Sequence, residues 1–146
     1  MTTAMRVGVA FGTLLLGMVA TAAAQLNMKD GLWETTMKTE MAGMPGGAPV
    51  QTMQRCYTAA DFQDPAAMNR GMDKGARCDT TDYRLQGNTA TWKIACTGEG
   101  AMTGTGTATY GGTSYTMTNR MAMTHSGQTM NMTTTQTGKY LGPCKK

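Results

Sequence analysis

The sequence predicts an all-β protein with minor helix: an antiparallel, twisted meander of about seven strands, open like a half-barrel, with one short helix. Three observations predict it. Threonine, which favours strands, is the commonest residue of the chain beyond its first segment. Apolar and polar residues alternate with period two in one segment after another. Glycines and a Gly-Asn pair punctuate those segments at turn positions.

The elements follow in order. Gly31–Met41 places Trp33, Thr35, Met37, Thr39 and Met41 on one face and Leu32, Glu34, Thr36, Lys38 and Glu40 on the other, so one face is buried and one is wet. Gly43–Pro49 is a loop, and Val50–Tyr57 is the returning strand, with Met53 as its core residue. Thr58–Arg70 is the one helical segment. Thr58 caps it, Asp61 follows three residues later, and Pro65 shortens or breaks it. Ala76–Gln86 and Thr89–Gly98 flank a Gly87-Asn88 hairpin turn, with Trp92, Ile94 and Cys96 pointing the same way. Ala101–Tyr110 carries Thr103, Thr105, Thr107 and Thr109 on one face. Its other face holds Met102, Gly104, Gly106, Ala108 and Tyr110, the two glycines making room for Trp92 and Tyr115. Thr113–Thr124 aligns Tyr115, Met117, Met121 and Met123, and Gln128–Tyr140 turns Met130, Met132 and Tyr140 inward. Short turns pair consecutive strands antiparallel. The apolar face, built on Trp33, Met37, Met41, Met53, Trp92, Met102, Tyr115 and Met117, then needs a cover: the helix, the other end of the curled sheet, or a ligand.

Compartment is read from the first segment and the cysteines. Met1–Arg6 carries one positive charge, Val7–Ala20 is apolar, and Thr21-Ala22-Ala23-Ala24 supplies small residues before Gln25. This is the pattern of a signal peptide over residues 1–24, cleaved to leave a single domain over 25–146. The apolar run falls short of the roughly 20 residues that span a membrane, so the processed chain is expected not to span one. An exported chain with four cysteines is expected to form two disulfides. No C-x-x-C pair is present to suggest zinc. Cys78 and Cys96 lie equidistant from Gly87 and face each other across the hairpin, which leaves Cys56 with Cys144. Export leads to the periplasm or, alternatively, to full secretion.

The residues argue against several functions. The net charge is +4 and the one adjacent basic pair is Lys145-Lys146 at the terminus, so no stripe for nucleic acid exists. The single histidine, His125, has only Ser126 and Ser114 as serines beyond the leader, and Ser126 points to the opposite face. Asp79 and Asp82 have opposite parity, and Glu34 and Glu40 lie on the wet face, so neither pair makes an acid–base couple. Gly104 and Gly106 lack the lysine of a phosphate loop. No catalytic residues or resident cofactor are expected, and the chain reads as a non-enzyme.

Methionine is the exception. Of 16 methionines, only Met1, Met5 and Met18 fall in the leader, while branched aliphatics beyond it are few. Met121, Met123 and His125 share one strand face, and Met130 and Met132 follow after a tight turn. Thioethers and imidazole select Cu(I), so these five residues form an alternative metal site. The competing reading is core filling, because Met37, Met53 and Met102 also sit at core parity and are spread along the sheet. A flexible methionine-lined face equally suits an apolar small molecule, a lipid, or an apolar segment of an envelope protein. An edge strand offers a further route to a protein partner. The leading expectation is non-catalytic binding of an apolar ligand or envelope protein, with Cu(I) as the alternative.

Gly31-Leu32-Trp33-Glu34, Gly43-Met44-Pro45, Gln54-Arg55-Cys56, Cys78, Cys96-Thr97-Gly98 and Tyr140-Leu141-Gly142-Pro143-Cys144 together resemble the bacterial exported family called domain of unknown function 3617. The resemblance spans nearly the whole chain beyond the leader. It implies a periplasmic protein of a Gram-negative bacterium and carries no activity over. The methionine and threonine richness departs from the family pattern.

Overall fold

The computed structural model of the chain describes residues 26–69, 77–98 and 101–145. The expected leader lies outside them. The elements are β1 (Gly31–Met41), β2 (Gln51–Tyr57), a 3-10 turn (Asp61–Gln63), α1 (Pro65–Asn69), β3 (Arg77–Gln86), β4 (Thr89–Thr97), β5 (Met102–Tyr110), β6 (Ser114–His125) and β7 (Gln128–Gly142). Among the described residues they form one open, seven-stranded antiparallel sheet in the order β2-β1-β7-β6-β5-β4-β3.

β3 to β7 form the meander that short turns dictate. The order departs from a meander at one place, where β1 lies beside β7. Both strands are long, 11 and 15 residues. Each can pair along both of its edges, and β1 pairs with β7 along nearly its whole length. The β1–β2 hairpin thus joins the far side of the sheet, and β2 and β3 become its two edges. β3 carries a bulge between Thr81 and Arg84, with Asp82 at φ 53°. Such an irregularity keeps an edge from pairing with another chain. The exposed Lys93–Asp82 ion pair at 2.7 Å holds the Asp82 carboxyl below the usual range.

The segment between the edges covers one end of the inner face. Asp61 accepts hydrogen bonds from the Thr58 N–H and hydroxyl, each at 2.8 Å, which fixes the turn. Pro65 opens α1 and does not interrupt a longer helix. At the first helical position its missing N–H costs nothing, and the Asp64 carboxylate accepts from the Ala66 N–H at 2.9 Å. The turn delivers Phe62, fully buried, into a nest of rings. Its centroid lies 4.9 Å from Trp33, 5.5 Å from Tyr115, 5.6 Å from Tyr57 and 6.2 Å from Tyr110. Leu26, Met28, Met68 and Met117 complete this core. The Tyr110 hydroxyl donates to the Phe62 carbonyl at 2.8 Å, tying the segment to β5.

Two glycines are required by close approach. A Cβ on Gly106 would overlap the Trp92 indole, and one on Gly138 would overlap the Tyr115 ring. Of the two rings expected over Gly104 and Gly106, Trp92 therefore lies over Gly106, while Tyr115 lies over Gly138 of β7. Gly104 instead faces the β6 backbone at Arg120 and Met121.

The buried tyrosines give the fold an alkaline limit. Tyr115 shares a 2.8 Å hydroxyl contact with Thr35. Burial pushes its phenol up to about 12, and the Thr35 bond opposes the shift only in part. Burial also raises Tyr110. The unfolded phenol releases its proton near 10, so its stabilising contribution is complete below about pH 10 and is lost as pH rises toward 12. Tyr115 alone should remove about 2–3 kcal/mol by pH 12. Urea midpoints measured at rising pH should fall steeply above about pH 10, and tyrosinate absorbance should show both phenols ionising only with unfolding. A flat midpoint across that window would contradict it.

Two disulfides brace the described chain. Cys78–Cys96 joins residues that face each other on β3 and β4, and Cys56–Cys144 ties edge strand β2 to the segment after β7.

Candidate ligand cavity

The helical segment covers the aromatic end of the inner face only. Further along the strands lies a polar row of cross-strand neighbours: Thr39, Thr134, Asn119, Gly106 and Trp92. The Thr39 and Thr134 hydroxyls meet at 3.2 Å. Asn119 and Trp92 are buried there, and neither Asn119 Oδ1 nor Trp92 Nε1 has a hydrogen-bond partner among the described residues.

Beyond this row the inner face turns to methionine. Met41 on β1 faces Met132 on β7, which faces Met121 on β6. Two residues along, Met130 on β7 faces Met123 on β6, which faces Met102 on β5. Directly opposed residues share a face of the sheet, so six methionines stand in two rows of three. The β1–β2 loop folds over their end. Its backbone makes successive turns, with the Met44 N–H donating to the Met41 carbonyl at 3.2 Å and the Gly47 N–H to the Met44 carbonyl at 3.3 Å. Gly43 at φ 86° and Gly46 at φ 93° take the left-handed positions that such turns need. The Ala48 N–H donates to the Thr39 carbonyl at 2.9 Å, and the Ala42 N–H to the Asn131 carbonyl at 3.0 Å, pinning the loop to β1 and β7.

The result is a cavity of about 160 Å³ lined by Met41, Met44, Met102, Met121, Met123, Met130 and Met132, with Ala42, Gly43 and Asn131. No charged side chain lines it. Met44 and Met130 are about half exposed at its mouth, and Met102, Met121, Met123 and Met132 are partly buried.

Of the residues singled out for copper, Met121, Met123, Met130 and Met132 come together here. His125 ends β6 two residues beyond Met123, and its side chain lies outside the described residues. Of the apolar face, Trp33, Trp92, Tyr115 and Met117 are buried, and Met37 and Met53 are partly buried. Met102 and Met41 belong to the cavity, Met41 at its rim. The spread of methionines that favoured core filling is therefore narrower than it looked from the sequence. Met44 was missed because a loop residue has no periodicity to read. Among the described residues no three histidines, cysteines or carboxylates cluster as metal ligands, and no helix is long and apolar enough to cross a membrane.

Fold and site together define a small, open-sheet, disulfide-braced β protein with a methionine-lined cavity at the uncovered end of its inner face. The chain belongs to the family described as "Protein of unknown function (DUF3617)", which matches residues 28–144. No curated protein and no solved structure matches it.

Proposed function

We propose that this is an exported, periplasmic, non-catalytic binding protein whose ligand site is the methionine cavity. The leader-like segment over residues 1–24 and the two disulfides support export. The observation that carries the binding reading is the cavity itself: an accessible space of about 160 Å³ with an almost wholly methionine lining. That volume suits the end of an alkyl chain or one apolar side chain of an envelope partner. It is close to that of an apolar cavity that takes up benzene, roughly 150 Å³. Flexible thioether side chains let such a site adapt to guests of different shape. Cu(I) is the second reading, and the identity of the lining side chains favours it.

The test uses the protein made with its own leader in a Gram-negative host and purified from the periplasm, its methionine methyl groups labelled for NMR. The intact mass should start at Gln25 with both disulfides formed. Benzene should shift the methyl signals of Met41, Met44, Met102, Met121, Met123, Met130 and Met132 saturably, while Met28, Met68 and Met117 hold still. Shifts confined to those three core methionines, or none at all, would refute the cavity as a binding site.

A further inference from the structure

An apolar guest needs only a greasy wall, and leucine, isoleucine or phenylalanine would supply one. In this cavity, however, every lining side chain larger than alanine is methionine, Asn131 aside. Seven methionines thus gather where the sheet is uncovered, while at the closed end Met28, Met68 and Met117 are packed among rings.

Resting on the reading of this cavity as a ligand site, we propose that its occupant is a Cu(I) ion held by the thioethers of Met121, Met123, Met130 and Met132. Met121 faces Met132 and Met123 faces Met130 across the β6–β7 ladder. Their Cβ atoms thus mark a rectangle, roughly 4.5–5.5 Å across the strands and about 7 Å along them. Each sulfur sits two bonds beyond its Cβ on an unbranched stem. Four sulfurs on such a frame can reach a common point above its centre, the arrangement a four-coordinate soft ion takes. Met41, Met44 and Met102 flank the frame.

The donor set selects the metal. Neutral thioethers are soft ligands that favour Cu(I), while Zn, Mg and Ca want imidazole, thiolate or oxygen donors. No three histidine, cysteine, aspartate or glutamate side chains cluster as ligands among the described residues. No acidic side chain lines the cavity either, so a doubly charged ion would meet no compensating charge there. Cu(I), singly charged and soft, suits such a lining best.

Replacing methionine by leucine tests this directly, because the swap conserves volume and apolar character while deleting sulfur. Wild-type mature protein, disulfides intact, is titrated with Cu(I) without oxygen against a chromophoric Cu(I) chelator, and benzene uptake is followed in parallel. Wild type should bind one equivalent. M123L/M130L should lose at least tenfold in Cu(I) affinity, M121L/M123L/M130L/M132L at least a hundredfold, and both should still take up benzene. The double variant keeps the test open should the fourfold one fold poorly. Wild type that takes benzene but not Cu(I), or leucine variants with undiminished Cu(I) affinity, would overturn the copper proposal and leave the cavity reading standing. Wild type that takes neither would overturn both.

Discussion

Phe62→Ala should cost the protein about 3–5 kcal/mol, the range for emptying a large aromatic site in a packed core. Phe62 is fully buried and touches rings from β1, β2, β5 and β6 at once. Its neighbours cannot easily close the gap. Trp33 is held by its indole N–H donating to the Lys29 carbonyl at 3.0 Å, and Tyr115 is wedged over Gly138. The Tyr110 hydroxyl bonds to the Phe62 main-chain carbonyl, so the substitution leaves that bond available and isolates the ring. Urea unfolding at neutral pH reads the loss, and Phe62→Leu should recover part of it by refilling volume. A change under 1 kcal/mol for the alanine variant would mean that the helical segment is not the cover of the aromatic end.

That cover was only half legible in the sequence. Alternation assigned strand faces well, because burial on one side of a sheet imposes period two wherever it occurs. It put Trp33, Trp92, Tyr115 and Met117 on the buried face. Phe62 carries no such signal: it sits in one turn of 3-10 helix followed by Pro65, too short for a helical period to show. Alternation also says which face a residue takes and not which strand lies next to it. The pairing of β1 with β7 is a contact between distant parts of the chain, and it alone brings Met41 beside Met132. Without it, Met121, Met123, Met130 and Met132 read as a local cluster among scattered methionines. With it, they become the centre of a lined cavity. The expectation that the β5 glycines make room for Tyr115 as well as Trp92 failed for a related reason. Tyr115 faces Tyr110 on β5 and Gly138 on β7, and strand parity cannot say over which neighbouring strand a ring will lie.

The cross-link between Cys56 and Cys144 should be worth more than the one between Cys78 and Cys96. It closes a loop with a sequence separation of 88, against 18 for the hairpin bridge. Restricting the unfolded chain that far is worth about 4–5 kcal/mol by loop entropy, against roughly 3 kcal/mol for the shorter loop. The native context points the same way. The hairpin bridge lies between two paired strands that a short turn already holds in register. β2, by contrast, is an edge strand that buries little beyond Tyr57, so its attachment depends on the ladder to β1 and on this bridge. Cys56→Ala/Cys144→Ala should therefore lower the urea stability by that larger amount. It should also speed amide exchange across Gln51–Tyr57 well before the β5–β6–β7 ladder responds. Cys78→Ala/Cys96→Ala should cost less and leave β2 exchange unchanged. Equal losses in the two variants, with uniform exchange, would instead mean that the sheet opens as one cooperative unit and that β2 is held by Tyr57 and its ladder alone. The cavity gives that distinction a functional edge. The loop that closes over the methionines runs from β1 into β2, so freeing β2 would loosen Met44 at the mouth while leaving the four methionines of the β6–β7 frame in place.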